Sequence, residues 1–431
     1  MSSGVTVRMY NPGFGDCFRV TVHDGETTWR LLVDCGVHSH GRVKIGGVSR
    51  SIDEIARAVV ADLSAECGGT PHLDVVVATH HHQDHISGFA CDAWDGVDVD
   101  EVWVSFVEDP DDPDAAALRD GTAKVANGLR LAAEHAATAH APGRPAEEWP
   151  PTLALAHDFA LNSSPNQAAM GRLTSGRFHG AAAHVRFLPD KDAAANVIQI
   201  GPDARVHLLG PSRDPADLAR MNPPAAEHWL TGPEGADDAD PDAEPLFDAL
   251  YRVPRAELRD RIGEEALRAR VALKLGDLAF DDQALLGAAS LLERSVNNTS
   301  VFFVLEVAGH RFVFVGDSQE GAWDHVLDDP AALALVTAPQ FYKVGHHGSN
   351  NATPKRFVEG VLGDDAYAMM PVGLVPEWAD QIPYPALVTA LEDHRTHLVR
   401  ADRPPAASHD GDVTVSVDPE GLWSELAFEF A

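Results

Sequence analysis

Hydrophobic and polar positions alternate from the first residues. Val5, Val7 and Met9 are set against Thr6, Arg8 and Tyr10, the period of two that predicts an opening β-strand. The turn Asn11-Pro12-Gly13-Phe14-Gly15-Asp16 leads to a second predicted strand from Cys17 to His23, and a third covers Trp29 to Cys35. The period then lengthens. Ile52, Ile55, Ala56, Val59 and Val60 recur at helical spacing behind Ser51 and Glu54, the two ends of a capping box. Gly68-Gly69-Thr70-Pro71 closes that helix. Leu73, Val75, Val76, Val77 and Ala78 follow as a short β-branched run of the kind that fills a buried strand, and Glu101 to Val107 reads as the next strand.

Beyond that strand the pattern changes twice. Residues 108–183 open with an acidic, proline-containing linker (Asp109 to Asp114). An alanine-rich helix over about 115–138 follows, then a proline-rich break and a second helical stretch near 152–161. Strands return over 184–188, 196–200 and 205–209. Residues 212–294 then interrupt the pattern again, first with a Pro/Gly/Asp/Ala-rich part (223–245) that has little to bury and reads as an exposed loop. A helical part (246–292) completes this interruption. Val301–Val307 and Arg311–Val315 form a predicted hairpin through Ala308-Gly309-His310, and a strand beginning at Phe341 precedes Gly345-His346-His347-Gly348-Ser349-Asn350. The expected class is α/β: one unit over 1–431 carrying two insertions, 108–183 and 212–294, placed as covers over a cleft.

The chemistry is concentrated where the Leu73–Ala78 run stops. Thr79 is followed within six residues by His80, His81, His82, Asp84 and His85. Imidazole and carboxylate are the ligand set of Zn²⁺ and neighbouring first-row metals. His80 and His82, two apart, can close on one ion while Asp84 and His85 face a second. Gly316-Asp317-Ser318 repeats the logic: a carboxylate directly after a buried strand can bridge two ions, although Asp317 alone would also serve as a helix N-cap.

The stretch THHHQDHISG resembles the T-H-x-H-x-D-H signature of the metallo-β-lactamase-fold hydrolases. Gly13-Phe14-Gly15-Asp16, Asp34-Cys35-Gly36 and Gly345-His346-His347-Gly348-Ser349 look like the corresponding turns of its DNA-uptake (ComEC-like) branch, and of a broad group of bacterial hydrolases of this fold. The resemblance covers the strands at 1–107, 184–211 and 296–400 and neither insertion. It implies an αββα sandwich and a two-zinc centre, with Mn²⁺ or Fe as other possible metals. His80 and His82 would hold the first ion and Asp84, His85 and His346 the second, with Asp317 bridging; His347 is second choice to His346 or its hydrogen-bond partner. Asp84 and Asp317 carry the catalytic role. Asp34 stands behind the ligands, and Lys343, Ser349 and Asn350 are placed to orient substrate or neutralise a developing anion. Two departures stand out. Related enzymes take a third histidine for the first metal from the region of 108–183, and nothing singles out His135, His140, His157, His179 or His184. Tyr384, in Gln381-Ile382-Pro383-Tyr384-Pro385, also stands where a terminal histidine is expected, and phenol is a poor substitute for imidazole.

The implied activity is metal-assisted hydrolysis by a water whose pKa falls toward roughly 7 between two ions about 3.5–4 Å apart. A small or single-stranded phosphodiester is the expected substrate. An ester, lactone or thioester on the same centre, or a non-catalytic metal-containing interaction protein, are the alternatives. A net charge of −33, from 66 acidic against 33 basic residues, sets a field that repels polyanions, so tight binding to long DNA is not expected. No run of 18 apolar residues is present, and the opening residues lack a basic and apolar leader, so neither a membrane span nor secretion is expected. Cys17, Cys35, Cys67 and Cys91 never form a CxxC pair and read as free thiols, which together with the missing leader gives a cytoplasmic expectation.

Overall fold

The computed structural model describes residues 3–38, 44–45, 48–140, 148–164, 166–222, 229, 282–373, 375 and 382–430. The expected exposed loop at 223–245 and the helical reading of 246–281 therefore lie outside the described residues, apart from Trp229. Strands run in chain order as β1 (Ser3–Tyr10), β2 (Phe18–Asp24), β3 (Thr27–Val33), a short ribbon of β4 (Lys44–Ile45) and β5 (Val48–Ser49), β6 (His72–Ala78), β7 (Asp98–Ser105), β8 (His184–Leu188), β9 (Val197–Gln199) and β10 (Ala204–Gly210). They continue as β11 (Phe302–Val307), β12 (His310–Phe314), β13 (Phe341–Lys343), β14 (Tyr367–Met370), β15 (His397–Arg400), β16 (Ser408–Asp410), β17 (Val413–Val417) and β18 (Trp423–Phe430).

Two mixed sheets result. Nine strands pair in the order β16-β17-β18-β1-β2-β3-β6-β7-β8 and seven in the order β15-β14-β13-β12-β11-β10-β9. In the first sheet β3, β6, β7 and β8 are parallel; in the second, β12 to β15 are. The protein is thus of the α/β class, with helices against both sheets. β6 is largely apolar for a clear reason: parallel neighbours flank it and both faces are covered. Val75 and Val77 point into a core shared by the two sheets, with Val7, Val20, Phe303 and Phe312. Leu73, Val76 and Ala78 point the other way, onto Ile55, Val59 and Leu63 of the helix Ile52–Cys67. That helix begins where its capping box requires, with the Glu54 amide donating to Ser51 Oγ at 3.3 Å and the Ser51 amide to Glu54 Oε2 at 2.7 Å. The outer face of the second sheet packs Phe302, Val313, Tyr342 and Met370 against Trp323, Phe357, Leu387 and Leu391 from its covering helices.

Three features depart from the sequence reading. The helix Gln167–Ser175 was not anticipated; Ala169, Met170 and Leu173 seal the first sheet beside β7. Strands β16 to β18 were not read either, yet β18 pairs with β1 over its whole length, so the first and last strands are neighbours inside the nine-stranded sheet. Third, the helix Asp282–Asn297 packs on the helices Pro113–His140 and Pro151–Asn162 through Leu285, Ala289 and Leu292. The two interruptions of the strand pattern thus meet in one three-helix cluster. No helix of the described residues is long and apolar enough to cross a membrane.

Candidate metal centre

Four strands, two from each sheet, end at one place. β3 runs into Asp34, β6 into Thr79–His85, β12 into Asp317 and β13 into His346–His347. Ligands commonly gather outside the carboxyl ends of strands in α/β sheets, where rigid elements stop and loops take over. The approach here is close enough to dictate glycines. A Cβ on Gly36 would lie 2.4 Å from both the Asp84 carbonyl carbon and the His85 amide nitrogen, and one on Gly15 would lie 2.3 Å from the Gly36 carbonyl oxygen. The turn glycines of the sequence are therefore spacers that let Asp16 and Asp34 reach the metal loop. Backbone bonds then fix the approach: the Asp16 amide donates to the Asp84 carbonyl at 3.0 Å and the Cys35 amide to the His85 carbonyl at 2.8 Å.

Asp84, His85, Asp317 and His347 each direct one ligand atom to a common point, all four atoms lying within 4.8 Å of one another. His85 Nε2 is 3.0 Å from Asp317 Oδ2, His347 Nε2 is 3.3 Å from Asp84 Oδ2, and the cross distances His85–Asp84 and His347–Asp317 are 3.9 Å each. Four donors about 2.0–2.1 Å from one tetrahedral ion would be separated by roughly 3.3 Å, so the spacing is that of a ligand set. His80 Nε2 and His82 Nδ1 face each other at 2.9 Å in a second pair. His82 Nε2 and Asp84 Oδ1 are buried without a hydrogen-bond partner, which is costly for polar atoms unless something else satisfies them. Donor chemistry, spacing and orphaned atoms together fit bound divalent cations.

Behind the ligands stands an outer layer that holds each ring. Asp34 accepts from the Thr79 amide and hydroxyl at 2.8 Å each, and its Oδ2 is 2.8 Å from His85 Nδ1. That contact fixes His85 with Nε2 turned to the cluster. His80 Nδ1 lies 3.1 Å from Thr79 Oγ1 and 3.2 Å from Ser300 Oγ, and Ser300 Oγ also accepts from the Asp317 amide. His81, a spacer in the motif, is turned away, with Nδ1 2.8 Å from Glu108. Gln83 ties the loop to the first interruption: its amide donates to Asn162 Oδ1 at 3.1 Å.

The consecutive histidines of the last motif divide in an unforeseen way. His346 (φ 43°, ψ 51°) and His347 (φ 52°, ψ 21°) both occupy the left-handed region, at a cost of about 1–3 kcal/mol each. It is His347, expected as second choice, whose nitrogen joins Asp84, His85 and Asp317. His346 Nε2 stands 4.0 Å from Asp317 Oδ2 and 3.6 Å from Glu293, with Ser349 Oγ 3.0 Å from its Nδ1. Lys343 is buried. Its ammonium donates to the Gly316 carbonyl at 2.8 Å and sits 2.5 Å from Asp16 Oδ2 and 3.4 Å from Asp317 Oδ1. It thus neutralises the carboxylates on the side of Asp317 away from the ligand atoms. Ser349 donates to Asn351 at 2.9 Å, while Asn350 is only half-buried at the turn before it. Tyr384 is joined to the site region through its backbone amide, which donates to the Gly348 carbonyl, and its ring packs into the apolar cluster outside the second sheet.

Among the described residues, none of the histidines weighed as a third ligand enters these groups. His157 pairs with Glu134, His179 pairs with Asp98, and His135 and His184 are exposed; the side chain of His140 lies outside the described residues. The acidic neighbour on that side is Glu293, from the helix Asp282–Asn297. No sequence signal marked it, because the helix belongs to neither motif.

Charge separates the histidines. Burial, reinforced by His85 and His82, drives His80 well below its ordinary pKa, and burial lowers His82 to about 4. Burial alone would do the same to His85, yet Asp317, Asp16, Asp34 and Asp84 carry it well above the ordinary value; Asp317 and Glu293 raise His346 in the same sense. Asp84 is held well below the usual carboxylate range: burial opposes this, but the charge of His85 and the hydrogen bond and charge of His347 prevail. No protein-family model matches the chain, and no curated protein matches it in sequence.

Proposed function

We propose that this protein is a metal-dependent hydrolase built as a metallo-β-lactamase-type αββα sandwich, acting on a small or single-stranded phosphodiester through an activated water. The observation that carries the reading is the convergence of Asp84, His85, Asp317 and His347 from three loops onto one point, with Asp34 against His85 Nδ1 and the Pro371 carbonyl 3.3 Å from His347 Nδ1. His80 and His82 would hold a first divalent ion and the four converging residues a second, zinc fitting the mixed imidazole and carboxylate set. Ions bound there supply Lewis acidity and bring the pKa of a water toward neutrality.

The chain's own groups have separable tasks. Asp34 accepts the Nδ1 proton of His85, so that Nε2 is left as the donor lone pair. Asp317 divides its oxygens: Oδ1 accepts from the His346 amide at 3.1 Å and faces Lys343, leaving Oδ2 for the ligand point. Asp84 contributes Oδ2 to that point and keeps Oδ1 free of hydrogen bonds, an acceptor for the proton of the attacking water. The strong negative charge of the chain favours a short substrate over a long polyanion. Metal analysis of the purified protein, with a screen of chromogenic phosphodiesters against esters and lactones under added Zn²⁺ or Mn²⁺, tests the reading. Metal-dependent phosphodiester turnover is expected. A protein that binds no metal, or that turns over only esters or lactones, would overturn it.

A further inference from the structure

One residue, Gln83, separates His82 of the first ligand pair from Asp84 of the second set, so the peptide units around it orient both. The backbone from Gln83 to Ile86 makes a short helical turn that starts from His82. The carbonyl side of that start is fixed within the loop: the His82 carbonyl accepts from the His85 amide at 3.0 Å and the Ile86 amide at 3.1 Å. The amide side is not. The first amides of a helix have no acceptor inside it, and the side chain of the residue before them ordinarily supplies one. His82 makes no such bond, because its Nδ1 faces His80 Nε2 at 2.9 Å and the ring is committed to the ligand pair. The acceptor comes instead from 79 residues further along the chain. Asn162, the last residue of the helix Pro151–Asn162 and 3% exposed, places Oδ1 3.1 Å from the Gln83 amide nitrogen. The Gln83 side chain ties the same junction, with Nε2 donating to the Ser164 carbonyl at 3.3 Å and Oε1 accepting from Asn166 Nδ2 at 3.4 Å. Arg172, in the next helix, donates to the Phe89 carbonyl at 2.9 Å and so holds the chain that leaves the metal loop.

We propose that Asn162 is a positioning residue of the metal centre: it caps the turn that His82 cannot cap, and thereby fixes the peptide unit between the two ligand sets and sets the affinity of both. The proposal rests on the metallohydrolase reading above and deepens it. It gives the first interruption of the strand pattern a task other than covering a cleft. The helix is anchored in the three-helix cluster by Leu153, Ala156 and Ala160, and its last residue reaches the metal loop as a clamp. The competing account is that this segment only packs against the loop, in which case its loss would lower stability and leave metal binding alone.

Zinc affinity at each position separates the two, measured on the full chain by chelator competition, with the Co²⁺ ligand-field spectrum as a second readout. Asn162→Leu removes the acceptor at similar side-chain size. Both positions are expected to weaken by about 10–100-fold, the range for outer partners that orient ligands, with a changed cobalt spectrum. Asn162→Asp keeps an oxygen in the same place and should recover most of the lost affinity. Asn162→Ala is carried in parallel, so that a folding defect in the leucine variant does not leave the question open. Unchanged affinity and spectrum in the Leu and Ala variants would overturn the proposal and leave the hydrolase reading intact. So would weakening at one position alone, or an Asp variant as weak as the Leu variant. A wild-type chain that binds no metal would remove both together.

Discussion

Both halves of the centre contain histidines, yet those histidines are shifted in opposite directions. His80 and His82 lie where burial dominates and their pKa values are lowered; His85 and His346 lie among Asp16, Asp34, Asp84, Asp317 and Glu293, whose charges outweigh burial and raise theirs. The difference follows the carboxylates that share each cavity. If the centre holds cations as proposed, those carboxylates would supply the stronger attraction in the second half, and binding there would be the more sensitive to acid.

The largest test of this contrast removes a ligand from each side. Asp84→Ala and His82→Ala should each lower turnover by about 10³-fold or more, equivalent to roughly 4 kcal/mol of barrier. Asp84→Ala should also empty the second position and His82→Ala the first. Metal content and kcat/KM of the purified variants check this, and full occupancy in both would break the assignment.

Acid should expose the first half. In the metal-free protein His82 has a folded pKa near 4 against an unfolded value near 6.5, so between these values the unfolded chain binds the extra proton. Stability is then lost as pH falls from about 6.5 toward 4, by on the order of 2–3 kcal/mol from this group. His85 works in the opposite sense: its folded pKa is raised, so its contribution is complete below the unfolded value and is lost as pH rises through the folded one. Denaturant midpoints across pH should show both limbs, with the acid limb flattened in His82→Gln; an acid limb identical in that variant would refute the assignment to His82.

A smaller effect probes the outer layer of the second half. Asp34→Asn leaves an acceptor for His85 Nδ1 but removes its charge, and zinc affinity there should fall by about 10–100-fold. The first position should weaken less, since Asp34 meets His85 directly and His80 only through the Thr79 hydroxyl. Competition titration measures it, and equal weakening at both positions would show that the halves are not separable. The smallest expected effect is on long duplex DNA: with cleavage blocked by Asp317→Asn, binding should stay weak across salt concentrations. Submicromolar affinity with a steep salt dependence would reveal a basic surface and break the small-substrate reading.

What the sequence determined was the local order around the motifs. The run Leu73–Ala78 had to be a doubly covered strand because no position in it is polar except Asp74, and its end had to present His80–His85 because the motif begins where the apolar residues stop. The strand-ending Asp34 and Asp317 and the paired histidines after β13 were legible for the same reason. The tertiary structure decided what depends on direction and on distant partners. Two adjacent histidines with left-handed backbone send their rings to different neighbours, so that His347 rather than His346 meets Asp84 and Asp317. Lys343 is buried with its ammonium between Asp16, Asp317 and the Gly316 carbonyl, a position that the linear order does not describe. Glu293 lay beyond sequence reasoning altogether. A helix of ordinary composition brings its carboxylate to within 3.6 Å of His346 only because a distant pair of helices supports it, and such packing is a property of the whole chain rather than of any segment in it.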